Sequence, residues 1–180
     1  MKERPILFSG EMVRAILDGR KTQTRRLCAP AKASGGLVDI QCPYGERGDR
    51  LWVRETWYCD IPADSRTEEK KLNLYFRADG EAGDQFEQLD PPSLKLWKPS
   101  IHMPRIFSRI TLEIESVRVE QLQSISKEDA KAEGMSACVG VSCPCAIIGY
   151  EKLWDEINGK RAPWASNPWV WVIEFRRVDQ

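Results

Sequence analysis

The sequence predicts a mixed α+β fold that is mainly β, a small and mostly antiparallel barrel flanked by about three helices. Three observations lead there. Five or six segments carry β-branched and aromatic residues bounded by turn chemistry. Three segments show apolar residues at helical spacing. The two kinds of segment do not alternate with the βαβ rhythm that parallel sheets require, and nothing repeats internally.

Along the chain, Pro5-Ile6-Leu7-Phe8 reads as a short extended segment. Ser9 then caps a helix whose apolar face is Met12, Val13, Ile16 and Leu17, and Gly19 stops it. Arg20 to Leu27 is polar but places Thr22 and Thr24 at alternate positions, which suits a strand; Ala29 to Gly36 is a loop of small residues. Pro43-Tyr44-Gly45 and Arg47-Gly48-Asp49 are turns that introduce a strand over Leu51–Tyr58. Asn73–Arg77 is a further strand, between a charged loop from Asp60 to Lys71 and an acidic stretch from Asp79 to Asp90 that Pro91-Pro92 breaks. Ile110–Ile114 alternates, and the pattern runs on loosely through Val117 and Val119. Ser126 and Asp129 form a capping box for a helix ended by Gly134. Tyr150, Leu153, Trp154 and Ile157 mark an amphipathic helix closed by Asn158-Gly159. Trp169–Phe175 is apolar on both faces, the mark of a central strand.

Composition bounds the possibilities. The 180 residues contain 27 Lys+Arg and 27 Asp+Glu, so a protein that coats nucleic acid by bulk charge is excluded while a local basic patch is not. The length and the 42% hydrophobic content suit one domain over 1–180, with insertions expected at about 60–92 and 136–147. No apolar run approaches the ~20 residues of a membrane span. Only four apolar-leaning residues follow Met1-Lys2-Glu3-Arg4-Pro5, which is not a secretory signal, so no membrane partner and a cytoplasmic location with reduced thiols are expected. Cys138, Cys143 and Cys145 lack the Cys-x2-Cys pairs usual in zinc sites, which leaves free thiols, a disulfide or a metal open there.

The segment richest in chemistry is Gly19-Arg20-Lys21-Thr22-Gln23-Thr24-Arg25-Arg26, with four cations and two threonine hydroxyls leaving a helix and entering a strand. It reads either as a solvated strand face or as an anion cradle in which Arg and Lys hold phosphate and Thr donates to it or to a base. The run Ile16 to Arg25 resembles the I-L-x-G-x-K-T-x-T signature of ASCH domains, a branch of the PUA-like superfamily. Gly48-Asp49-Arg50-Leu51-Trp52-Val53, Ala130-Lys131-Ala132-Glu133-Gly134 and Trp171-Val172-Ile173-Glu174-Phe175 resemble further family segments in the same order. The overall layout is similar to longer, prophage-type members, including the Ser100-Ile101-His102-Met103-Pro104 segment.

This resemblance implies a PUA-like β-barrel and a cleft that binds RNA or a nucleoside, with no cofactor and no metal; it is silent on protein partners. Some small bacterial members are amidohydrolases that deacetylate N(4)-acetylcytidine with a Lys, a Thr and a Glu, which correspond by motif position to Lys21, Thr24 and Glu133. Arg20, Arg25, Arg26, His102 and Arg105 are candidate ligand-binding residues around them. In such chemistry a neutral Lys amine takes the Thr proton, and a water route with Lys21 or Glu133 as base fits equally. One obstacle is parity: within a regular strand, Lys21 and Thr24 point to opposite faces. Trp52, Trp169 and Trp171 are expected in the core, Trp97 and Trp164 in loops as candidate ligand contacts, and Glu55 either as a second acid or in an outward ion pair.

Overall fold

The computed structural model describes residues 1–28, 41–60, 73–80, 97–135 and 145–178. The expected loop at 29–36, most of both insertions, and Cys138 and Cys143 lie outside the described residues. Strand β1 (Glu3–Leu7) leads into helix α1 (Gly10–Leu17), and β2 (Gln23–Leu27) follows. Strands β3 (Arg50–Arg54), β4 (Trp57–Asp60), β5 (Asn73–Phe76) and β6 (Thr111–Gln121) come next. Helices α2 (Lys127–Ala132) and α3 (Cys145–Asn158) precede the last strand, β7 (Trp169–Val178).

Five strands form one sheet in the order β1-β3-β6-β7-β2, and β4 and β5 form a separate hairpin. The long pair β6–β7 is the spine, antiparallel over ten residue pairs with a register shift between Ile114 and Ser116. This central place explains why β7 is apolar on both faces: Trp171, Ile173 and Phe175 enter one core cluster with Phe8 and Ile16, while Val170 and Val172 pack on Tyr150 and Trp154 of α3. The pairing is antiparallel except for β1 on β3, which is parallel. β1 and β2 stand at the two ends of the order, and no strand ladder joins them among the described residues.

Local rules account for the helix ends. The Ser9 hydroxyl accepts from the Met12 N–H at the start of α1, and Ser126 and Asp129 form the reciprocal capping box of α2. The expected strand over Leu51–Tyr58 divides in two. Glu55 and Thr56 interrupt it because the Glu55 carboxylate turns inward to Arg109, 2.9 Å away, and only 1% of the residue is exposed. The strand expected from Arg20 starts three residues later, at Gln23. Trp52 and Trp171 are buried as expected, but Trp169, the first residue of β7, is 50% exposed.

Phe175→Ala should lower stability by about 3–5 kcal/mol through loss of a fully buried ring. Ile106→Ala, at a residue 83% exposed, should change it by less than about 0.5 kcal/mol. Urea unfolding followed by tryptophan fluorescence measures both.

A buried lysine–glutamate pair and the hollow beside it

Lys21 lies in a short connection between α1 and β2. Gly19 turns the chain with φ of 73°, and the N–H groups of Arg20 and Lys21 both donate to the Ala15 carbonyl, 2.9 Å away. The chain then meets the end of α2: Lys21 forms an isolated antiparallel bridge with Glu133, and Thr22 N–H donates to Ala132 O at 2.8 Å. Gly134 makes this approach possible. Its φ is 94°, and a Cβ there would stand 3.0 Å from Ala15 Cβ and 3.4 Å from that of Lys21.

The Lys21 side chain has no exposed surface, and all three of its N–H donors are engaged. They reach Glu133 Oε2 at 2.6 Å, Gln23 O at 2.8 Å and Glu133 O at 2.9 Å. Burial drives the ammonium below the ordinary lysine range; the Glu133 carboxylate opposes this, and the charges of Arg26 and Arg25 assist it. Arg25, equally buried, donates to Glu120 at 2.5 Å, Asp129 at 3.2 Å and Glu133 at 3.4 Å. Arg118 joins Glu120 and Asp129, each at 3.3 Å, and continues to Glu174. Burial would raise the Asp129 pKa, but hydrogen bonds from Ser126 and the nearby Arg25 and Arg118 hold it below the usual carboxylate range. Three cations and four carboxylates thus form one chain of contacts running outward from Lys21.

Because Lys21 precedes β2, the parity obstacle does not apply to it. Thr24 is buried opposite Ile173, on the face of the sheet that carries the core cluster of Phe8 and Phe175. The Lys21 ammonium lies 5.8 Å from the Phe8 ring centre, beside that same cluster. Arg20 is exposed and donates to Asp18 at 2.8 Å and to Gly134 O at 3.1 Å. These residues, with Glu133, Met135 and Leu153, wall a hollow of about 260 Å³. A larger groove of about 620 Å³ adjoins it through Ser9, Glu11, Arg14 and Leu153, and Trp97 and Arg77 line that groove.

Of the other predicted residues, His102 and Arg105 lie apart from this pair, and Arg26 acts on it through its charge. Arg26 donates to Leu7 O at 2.6 Å. Arg105 pairs with Glu3 at 3.0 Å and reaches Thr111, and His102 is exposed on a 3-10 turn. No hydrogen bond or ion pair of Arg26, Arg105 or His102 among the described residues reaches Lys21, Thr24 or Glu133. Trp164 packs edge-on against Tyr150 at 6.3 Å, a place in the second core cluster. Glu55 forms a two-pronged pair with Arg109, and burial raises its pKa against that pairing. Cys145 is disulfide-bonded, one of the readings left open for it, so its sulfur is no free thiolate for a metal, while Cys42 and Cys59 are free thiols as the general expectation had it. No group of three or more potential metal ligands occurs among the described residues. None of their helices is long and apolar enough to cross a membrane.

Sequence reasoning missed Glu120, Asp129 and Arg118 as parts of the charge chain. A signal was present: Arg118 and Glu120 alternate on one face of β6, and Asp129 stands one helical turn before Glu133.

No family model and no curated protein matches the chain. Two solved structures are similar to it. One is an ASCH domain from Lactobacillus crispatus JV V101, at 13% identity and TM-score 0.47, covering 98% of this chain and 79% of that one. The other is a protein from Enterococcus faecalis V583 assigned to the DUF984 family, at 11% identity and TM-score 0.49, covering 99% of this chain and 82% of that one.

Lys21→Met should cost about 3 kcal/mol, because it leaves the Glu133 carboxylate buried with only the longer Arg25 contact. Lys21→Met with Glu133→Leu should recover at least half of that loss. Since the folded Lys21 pKa lies below the unfolded 10.5, the wild type binds fewer protons folded than unfolded between the two values. Its stability advantage over Lys21→Met should therefore grow as pH rises through that interval, as urea unfolding at stepped pH would report.

Proposed function

We propose that the chain is an ASCH-type, PUA-like domain that binds a modified nucleoside, free or within RNA, in the hollow walled by Arg20, Glu133 and Gly134. The observation that carries this reading is the Lys21–Glu133 contact of 2.6 Å, which joins two motifs 112 residues apart at the margin of that hollow. The hollow is smaller than the ~300–1,000 Å³ typical of drug-sized ligand sites, which suits one nucleoside better than a helical segment. Lys21 has all three donors, and Arg25 both terminal nitrogens, committed to the chain's own oxygens, so selection here rests on the base and sugar more than on phosphate charge.

A specific observation also favours a second reading, deacylation of an N(4)-acetylcytidine-like substrate. Burial disfavours the Lys21 ammonium, and a carboxylate that can accept its proton stands 2.6 Å away. In this reading the proton passes from Lys21 Nζ to Glu133 Oε2, leaving a neutral amine. The amine takes the Thr24 hydroxyl proton as that oxygen attacks the acyl carbon. The C–N bond then breaks, the leaving N(4) takes the proton from Lys21, and water releases the acyl group from Thr24 as a carboxylic acid.

Purified protein should bind N(4)-acetylcytidine by calorimetry, and Glu133→Gln should weaken that binding about tenfold or more. If the second reading holds, cytidine appears on chromatography, and Thr24→Val keeps the binding while cutting turnover at least about a hundredfold. Binding without cytidine formation removes the hydrolase reading alone. Failure to bind any cytidine derivative or RNA overturns both.

A further inference from the structure

Between the two terminal strands of the sheet lies another hollow of about 260 Å³, walled by Pro5, Ile6, Leu7, Arg26, Tyr44 and Arg54. Among the described residues its wall carries two guanidinium groups and no carboxylate. Three other hollows among the described residues are different: Glu11 and Glu156 line the large groove, Asp18 and Glu133 the hollow beside Lys21, and Glu113 and Glu115 a further one.

Both arginines are held in place by groups that do not neutralise them. Arg26 donates through Nη2 to Leu7 O at 2.6 Å and lies over the Phe8 ring at 5.2 Å. Its Nε is buried and has no hydrogen-bond partner. Arg54 donates through Nε to Met103 O at 3.0 Å and lies over the Trp52 ring at 4.9 Å. Neither makes an ion pair among the described residues, whereas Arg4, on the neighbouring strand, is taken by Asp49 at 2.8 Å. A carbonyl and an aromatic face thus fix each fork while leaving donors unspent. Tyr44 is fixed as well: Gly45 N–H closes the turn onto Cys42 O at 3.1 Å, and Asp49 accepts from Glu46 N–H.

We propose that this hollow is an anion site for a phosphate group, held between the Arg26 and Arg54 guanidinium forks with Tyr44 beside it. A carboxylate carries one charge and two oxygens, which a single fork satisfies. A phosphate monoester carries about −1.5 to −2 charges and three acceptor oxygens, and two forks on the wall of one hollow match it. The site is separate from the Lys21–Glu133 pair and stands or falls independently of the nucleoside reading. The phosphate comes from a mononucleotide or from an RNA strand, and the test distinguishes these.

The direct probe is orthophosphate observed by 31P NMR with the full chain. Its resonance should broaden with the wild type, and Arg26→Lys and Arg54→Lys, which keep the charge and lose the fork, should each reduce the broadening at least fivefold. Circular dichroism identifies whichever variant remains folded, and either one suffices. Cytidine 5′-monophosphate and a short oligoribonucleotide are then compared as competitors: tighter displacement by the oligonucleotide assigns the site to a strand, and tighter displacement by the mononucleotide to a free nucleotide. Absence of broadening with the wild type, or broadening unchanged in both lysine variants, overturns the site. Because orthophosphate contains no nucleoside, failure of the nucleoside reading leaves this outcome unaffected.

Discussion

The structure turns on one constraint: the Lys21 ammonium is fully buried and must find its partners within the chain. An isolated buried charge is prohibitively costly, so the element that supplies the partners cannot move away. Glu133 supplies two of the three oxygens, one from its side chain and one from its backbone at the end of α2. The short helix α2 has little apolar surface of its own; Ala130 is its one buried residue. Pairing with Lys21, Arg25 and the carbonyl-to-amide bond from Ala132 to Thr22 therefore fixes α2 against the start of β2. Gly134 permits the close approach, and Gly19 aims Lys21 into it.

The same constraint shapes the chemistry on offer. A lysine retained for phosphate binding needs its donors in solvent, and those of Lys21 point inward. A buried lysine beside a carboxylate is instead poised for proton exchange within the pair, and burial lowers its pKa from the ordinary lysine value. Arg25, Asp129, Glu120 and Arg118 extend the alternation of charge toward the surface, so the cost of burial is shared along a connected series of contacts. Phosphate recognition, where the chain has it, falls to guanidinium groups that no carboxylate has claimed.

Much of this was legible in the residues. The apolar run of β7 announced a central strand, Ser126 and Asp129 a helix start, and Gly19 and Gly134 the stops at both ends of the pair. The motif resemblance joined Lys21 to Glu133 across 112 residues, and the structure brings those two together. Other features depend on tertiary placement that local pattern does not encode. Glu55 stood out as a polar residue in this strand, but its inward turn to Arg109, a partner 54 residues away, depends on tertiary placement. The parallel pairing of β1 on β3 is likewise invisible to a reading that expects neighbouring strands to form hairpins. Arg25 read in sequence as a candidate ligand-binding cation; alternation places it on the face toward α2 and α3, where Asp129 and Glu133 take its donors.

The most direct test is the titration of Lys21 itself, followed through the side-chain NMR signals of isotopically labelled lysine. The account predicts one lysine titrating below 10.5, its signal absent in Lys21→Arg and its pKa moved further down in Glu133→Gln, because the carboxylate is the main group holding it up. A lysine set that titrates uniformly at the ordinary value, or a Lys21 signal indifferent to Glu133→Gln, would contradict it.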